Sequence, residues 1–170
     1  MSRKDLDGFA KLAVRLGAKD ARVIRAGSVV TAEWVRWKCQ YGCGGYGERL
    51  TCPPYSPTPD RTKAMLACYR HAILLHGDDH TDISEVVSAL EREIFLAGYH
   101  KALGLGSGPC RLCAKCTRKQ HDCRHPYEAR PAMEACGIDV FTTARRNGFR
   151  IEVVKDGQCE QNYYGLVLVE

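Results

Sequence analysis

His71-Ala72-Ile73-Leu74-Leu75-His76, followed after a polar break by an amphipathic run from about Asp82 to Ala102, is the stretch on which the fold class turns. Four consecutive apolar residues between two histidines predict a short strand buried on both faces. Ile83, Val86, Val87, Leu90, Ile94 and Ala97 then recur at helical spacing, and Asp82 stands where an N-cap belongs. A buried strand feeding a long helix argues for a sheet with helices packed against it. The apolar run is far too short to span a bilayer.

Working outward, Leu6, Phe9, Ala10, Leu12, Ala13 and Leu16 predict an amphipathic helix that Gly17 ends. Ala21-Arg22-Val23-Ile24 and residues 29–37 read as two strands, the second because Val35 and Trp37 alternate with Trp34 and Arg36. Residues 39–59 hold Pro53, Pro54, Pro57 and Pro59 and several glycines, which predicts an irregular loop. A helix over about 60–69 leads into the central strand. Beyond the long helix, the glycine-rich residues 104–109 deliver the chain to a second irregular segment. Short helices are expected over 131–136 and 140–146, separated by Gly137. Strands are expected over 149–154 and 163–169, with a turn at Asp156-Gly157. The expected class is α/β or α+β, a mixed sheet covered by helices with two irregular cysteine-rich loops, in a single domain over residues 1–170.

The chain has 170 residues, of which 45% are hydrophobic and 26% charged, ordinary values for a globular protein. Its start, Met1-Ser2-Arg3-Lys4-Asp5-Leu6-Asp7, lacks the apolar core of a signal peptide. The expected location is therefore the cytoplasm, where ten cysteines read as metal ligands before they read as disulfides. Net charge is +5 with the basic residues dispersed, and no RNA-binding fingerprint is present. Neither nucleic acid nor a membrane is expected as a partner. A mildly basic surface suits an acidic redox partner or a phosphorylated small molecule, and equally a simply solvated exterior. Oligomeric state is left open.

Cys110, Cys113, Cys116 and Cys123 form C-x2-C-x2-C-x6-C, with the first three at ferredoxin spacing. Each short step lets the chain turn so that the thiols converge. Soft thiolates gathered this way suit an iron–sulfur cluster first, with all four on one 4Fe–4S cube, and zinc second. His121 or His125 is available to replace a thiol or to donate to sulfur. Cys39, Cys43 and Cys52, in C-x3-C-x8-C-P-P, form a second group. Three thiols suit a 4Fe–4S cluster with one iron open, or ligated by Cys136, Cys68, Cys159 or a histidine. A structural zinc knot, or reduced cysteines in a rigid loop, is the plain alternative. Cys68 reads as a small buried hydrophobe on its helix. By itself Cys136 reads the same way, and Cys159 follows a turn.

Several of these stretches resemble a family of small bacterial and archaeal proteins described as predicted metal-binding proteins of unknown function. The resemblance is carried by Lys38-Cys39 to Cys43, by Leu50-Thr51-Cys52-Pro53-Pro54-Tyr55-Ser56-Pro57-Thr58-Pro59 and by Gly108-Pro109-Cys110-Arg111-Leu112-Cys113 to Cys116. It continues through Cys123-Arg124-His125-Pro126, Ala129-Arg130-Pro131-Ala132-Met133-Glu134-Ala135-Cys136-Gly137-Ile138-Asp139-Val140 and Asn162-Tyr163-Tyr164-Gly165-Leu166-Val167-Leu168. The resemblance runs from roughly residue 36 to the end. It implies metal binding, with iron–sulfur favoured, and supplies no reaction. The matching stretches hold the seven loop cysteines and Cys136, the number that two 4Fe–4S clusters need. Cys136 would then complete the Cys39, Cys43 and Cys52 site, while Cys68 and Cys159 lie outside the motifs. Arg130 is expected either to neutralise a bound cluster or anion or to pair with Glu134.

Three functions compete. The first is electron transfer or a redox-accessory role with one or two 4Fe–4S clusters and a partner protein. The second is an enzyme using an open iron at Cys39, Cys43 and Cys52 as a Lewis acid on a small-molecule substrate, for dehydration, desulfuration or sulfur transfer. In that case Arg36, Tyr41, Tyr46 or Tyr55 would orient the substrate and His71 or His76 would move protons. The third is a zinc-stabilised binding module. Whether the chain is an enzyme is left undecided.

Overall fold

A computed structural model describes residues 3–119 and 122–170. Its centre is a four-stranded sheet of β1 (Asp20–Arg25), β2 (His71–Gly77), β3 (Leu103–Leu105) and β4 (Tyr163–Leu168), in the order β1-β2-β4-β3. Every neighbouring pair is antiparallel, so the class is α+β. Ile73 of β2 lies between Val23 of β1 and Val167 of β4, and Leu74 lies between Arg22 and Leu166.

Both faces of β2 are covered, which is why its sequence is a continuous apolar run instead of an alternation. On one face Ile73, Leu75 and Val167 pack against α1 (Arg3–Arg15) and α4 (Ile83–Leu96), through Leu6, Ala13, Val87, Leu90 and Ile94. On the other, Ala72, Leu74, Leu166 and Leu168 meet Met133, Cys136, Ile138, Ala144 of α5 (Val140–Arg146), and Leu66 of α3 (Pro59–Leu66). Leu74 is fully buried, so truncation to Ala is expected to cost about 2–5 kcal/mol. Asp82 caps α4 by accepting from the Glu85 backbone N–H at 3.0 Å. Gly98 at φ +97 ends it earlier than the apolar spacing suggests, because a left-handed residue past the last turn stops the helix.

Two expected strands are absent as strands. Residues 29–37 instead lead into α2 (Glu33–Gly42). There Val35 is buried while Trp34 and Trp37 are exposed, so the apparent alternation reflected one buried residue on a helix. Residues 149–154 run without strand pairing. Phe149 and Ile151 are buried, Val153 and Val154 are exposed, and Arg145 holds the segment by donating to the Ile151 carbonyl. The expected 131–136 helix is a single 3-10 turn, Glu134–Cys136.

Gly137 follows that turn and positions it against α3. Its φ is +76, and an added Cβ would lie 2.3 Å from Pro59 Cγ and 3.1 Å from Pro59 Cα. Gly137→Ala combines left-handed strain with a clash against backbone. We expect it to lower stability by about 2–4 kcal/mol, read as a shifted urea midpoint. An unchanged midpoint would show that the turn does not pack on Pro59 as described.

Candidate metal centre

Cys110, Cys113, Cys116 and Cys123 line one small cavity of ≈ 20 Å³, together with Arg49, Thr51 and His125. All four thiols are partly buried. Burial alone would push the Cys116 thiol up, but its pKa is lowered overall. Hydrogen bonds from the backbone N–H groups of Arg118, Leu50 and Thr117 and the charge of Arg49 all favour its thiolate. That environment suits a thiolate ligand. His121 lies outside the described residues. The donor set fits a soft metal or a cluster. Among the described residues, however, no group of three or more His, Cys, Asp or Glu side chains is arranged to hold a single ion.

The second group is assembled from α2 and the loop after it. Cys39 is in the last turn of α2 and partly buried, Cys43 follows the helix and is exposed, and Cys52 is buried. Gly45 donates its backbone N–H to Cys43 Sγ at 3.4 Å. Burial pushes the Cys39 thiol up, and the nearby charges of Cys43, Glu134 and Cys52 act in the same direction. Burial likewise raises Cys52, opposed by Thr51 and Arg49 and reinforced by Cys43 and Cys110. Cys52 is thus an electrostatic neighbour of both groups, and the two cysteine loops adjoin.

Their contact is built from direct bonds. Arg49 donates to the Cys113 carbonyl at 3.0 Å, and Arg118 pairs with Glu48 at 3.3 Å. Arg36 of α2 donates to the carbonyls of Ser56, Pro57 and Ala135 and to Ser56 Oγ, and Ser56 Oγ donates to the same Ala135 carbonyl at 2.6 Å. Arg36 is therefore a strut between the first loop and the 3-10 turn, with its guanidinium turned to protein carbonyls. Arg130 does not pair with Glu134. It makes a two-pronged ion pair with Glu91 of α4, at 2.6 and 2.7 Å, and also donates to the Pro126 and Ala129 carbonyls. The packing of α4 brings Glu91 within reach, and its two oxygens then meet the planar guanidinium.

Other expected residues fall elsewhere. Cys136 is 1% exposed within the apolar core, and burial pushes its thiol up to about 12. Cys68 is exposed, since α3 stops at Leu66 before reaching it. Cys159 donates to Asp156 Oδ1 inside its own turn. Tyr41 is 75% exposed, Tyr46 partly buried and Tyr55 exposed. His71 and His76 belong to β2, and His76 pairs with Asn162 at 2.6 Å, so neither lines the cysteine cavity. Nothing in the sequence assigned a role to Arg49, Glu48, Ser56 or Glu91. Only the position of Arg49 three residues before Cys52 offered a signal.

The thiol environments set an order of reactivity in the metal-free, folded protein. A lowered pKa gives Cys116 more thiolate at a given pH, and raised values give Cys39, Cys52 and Cys136 less. Between about pH 6 and pH 9, iodoacetamide should label Cys116 before these three, with Cys136 protected throughout. Peptide mass spectrometry reads the order, and early labelling of Cys136 would contradict the burial described.

Among the described residues no helix is long and apolar enough to cross a membrane. No curated protein and no solved structure matches the chain. Residues 22–169 match the family described as "Predicted metal-binding protein (DUF2284)". That match takes in both cysteine loops, the 3-10 turn and all four strands but the first residues of β1, and the chain belongs to this family of predicted metal-binding proteins.

Proposed function

We propose that the protein is an iron–sulfur protein holding up to two 4Fe–4S clusters, acting in electron transfer or as a redox accessory. The observation that carries this reading is the cavity lined by Cys110, Cys113, Cys116 and Cys123, whose first three members have ferredoxin spacing. The adjoining Cys39, Cys43 and Cys52 supply a second set of thiols, three of the four ligands that a second cluster needs. A bound cluster would supply one-electron storage. The chain's own part is to hold the thiolates, to place Arg49 and the backbone N–H groups against their charge, and to exclude water from Cys52. Cys110 also borders a broad groove of ≈ 1250 Å³ beside α4, lined by Phe95, Leu96 and Tyr127. This gives a redox partner or a small-molecule substrate an approach to the first set. The compartment proposed is the cytoplasm, with neither nucleic acid nor membrane as partner.

Zinc is the second reading, since the four thiols of the cavity form a donor set that zinc also takes. Metal analysis separates the two. After anaerobic purification, about eight irons and eight acid-labile sulfides per chain are expected. Cys113→Ser with Cys116→Ser should remove about half of each. Zinc without sulfide would overturn the iron–sulfur reading.

A further inference from the structure

Glu134 opens the 3-10 turn that ends in Cys136. The residue is partly exposed, yet its Oε2 is sealed from solvent and has no hydrogen-bond partner. Burial raises the pKa of this carboxyl, and a buried carboxyl oxygen left unpaired is costly, so such groups in native proteins call for a partner. None of the ion pairs among the described residues includes Glu134. Arg36, which reaches the carbonyl of the next residue, Ala135, is committed to that carbonyl and to those of Ser56 and Pro57.

What the carboxylate adjoins is the first cysteine group. The turn packs on α2, which carries Cys39, and Glu134 lies near enough for its charge to raise the thiols of both Cys39 and Cys136. Cys136 is placed differently. With three residues per 3-10 turn, positions two apart project from different sides. Cys136 points into the apolar core with Met133, Ile138 and Leu66, and its carbonyl is held by Thr62 Oγ1 at 2.7 Å. We propose that the Glu134 carboxylate, and not the Cys136 thiol, completes the metal site of Cys39, Cys43 and Cys52 as an oxygen ligand. Coordination gives the sealed oxygen the partner it lacks. It also leaves the centre with one hard ligand among soft ones, the position that an incoming thiol displaces most readily. The inference rests on the reading that these three cysteines bind metal.

The test compares metal and sulfide per chain, and the electron paramagnetic resonance spectrum after reduction, across four variants prepared anaerobically. A Cys39→Ser, Cys43→Ser, Cys52→Ser triple variant measures what the site itself holds. If it loses no metal, the underlying reading fails and the proposal falls with it. If it does lose metal, Glu134→Gln should lose the same share, and Cys136→Ala should keep the wild-type content and spectrum. Glu134→Cys should restore the metal with an altered spectrum. Metal retained at the Cys110 loop and an unchanged circular dichroism spectrum show that Glu134→Gln has folded. Full metal in Glu134→Gln, or loss in Cys136→Ala, overturns the assignment.

Discussion

The Glu91 carboxylate joins three parts of the molecule that the chain brings together from distant positions. It accepts the Gly104 backbone N–H of β3 at 2.7 Å while both its oxygens meet the Arg130 guanidinium. Gly104 can approach α4 this closely because it has no Cβ, which would fall 2.5 Å from Val87 Cγ1. Both partners of the ion pair are largely shielded from water, so the loss of either would leave a stranded charge at a cost of roughly 3–5 kcal/mol. Through this pair the end of the second cysteine loop is fixed to the helix that covers the sheet. Just beyond, Gly106 and Met133 exchange backbone bonds with Pro131 and Gly106, and so carry the fixed geometry to the 3-10 turn.

From that anchor the two cysteine loops are held by charged struts more than by regular structure. Arg49 ties the first loop to the second, and Arg36 ties it to the turn at Ala135. Burial raises Cys39 and Cys52, so in the absence of metal these thiols resist ionisation. Metal binding must therefore release protons, which makes affinity fall as pH is lowered. Cys116, already supplied with backbone donors, ionises more readily than Cys39 or Cys52.

The central strand and the capped helix were legible because each depends on local pattern: four apolar residues in a row, and an apolar stripe behind Asp82. β4 was legible for the same reason. α2 was misread because Trp34 and Trp37 look like core residues, whereas both lie on an exposed helix face and only Val35 packs inward. Residues 149–154 have strand-like composition, but no ladder partner reaches them. The C-x2-C-x2-C-x6-C spacing grouped the four thiols that line the cavity without help from the fold. The partner of Arg130 was not legible, because Glu91 lies 39 residues earlier and only the docking of α4 brings it near. The sealed oxygen of Glu134 is likewise a property of packing that no local pattern records.

The most direct test of the account is X-ray absorption at the iron and zinc edges of the anaerobically purified protein. The account predicts iron with a sulfur shell and an iron–iron shell, and a first shell that keeps its sulfur content when Cys136 is replaced by alanine. Zinc bound by four sulfurs at about 2.3 Å, with no iron present, would contradict it.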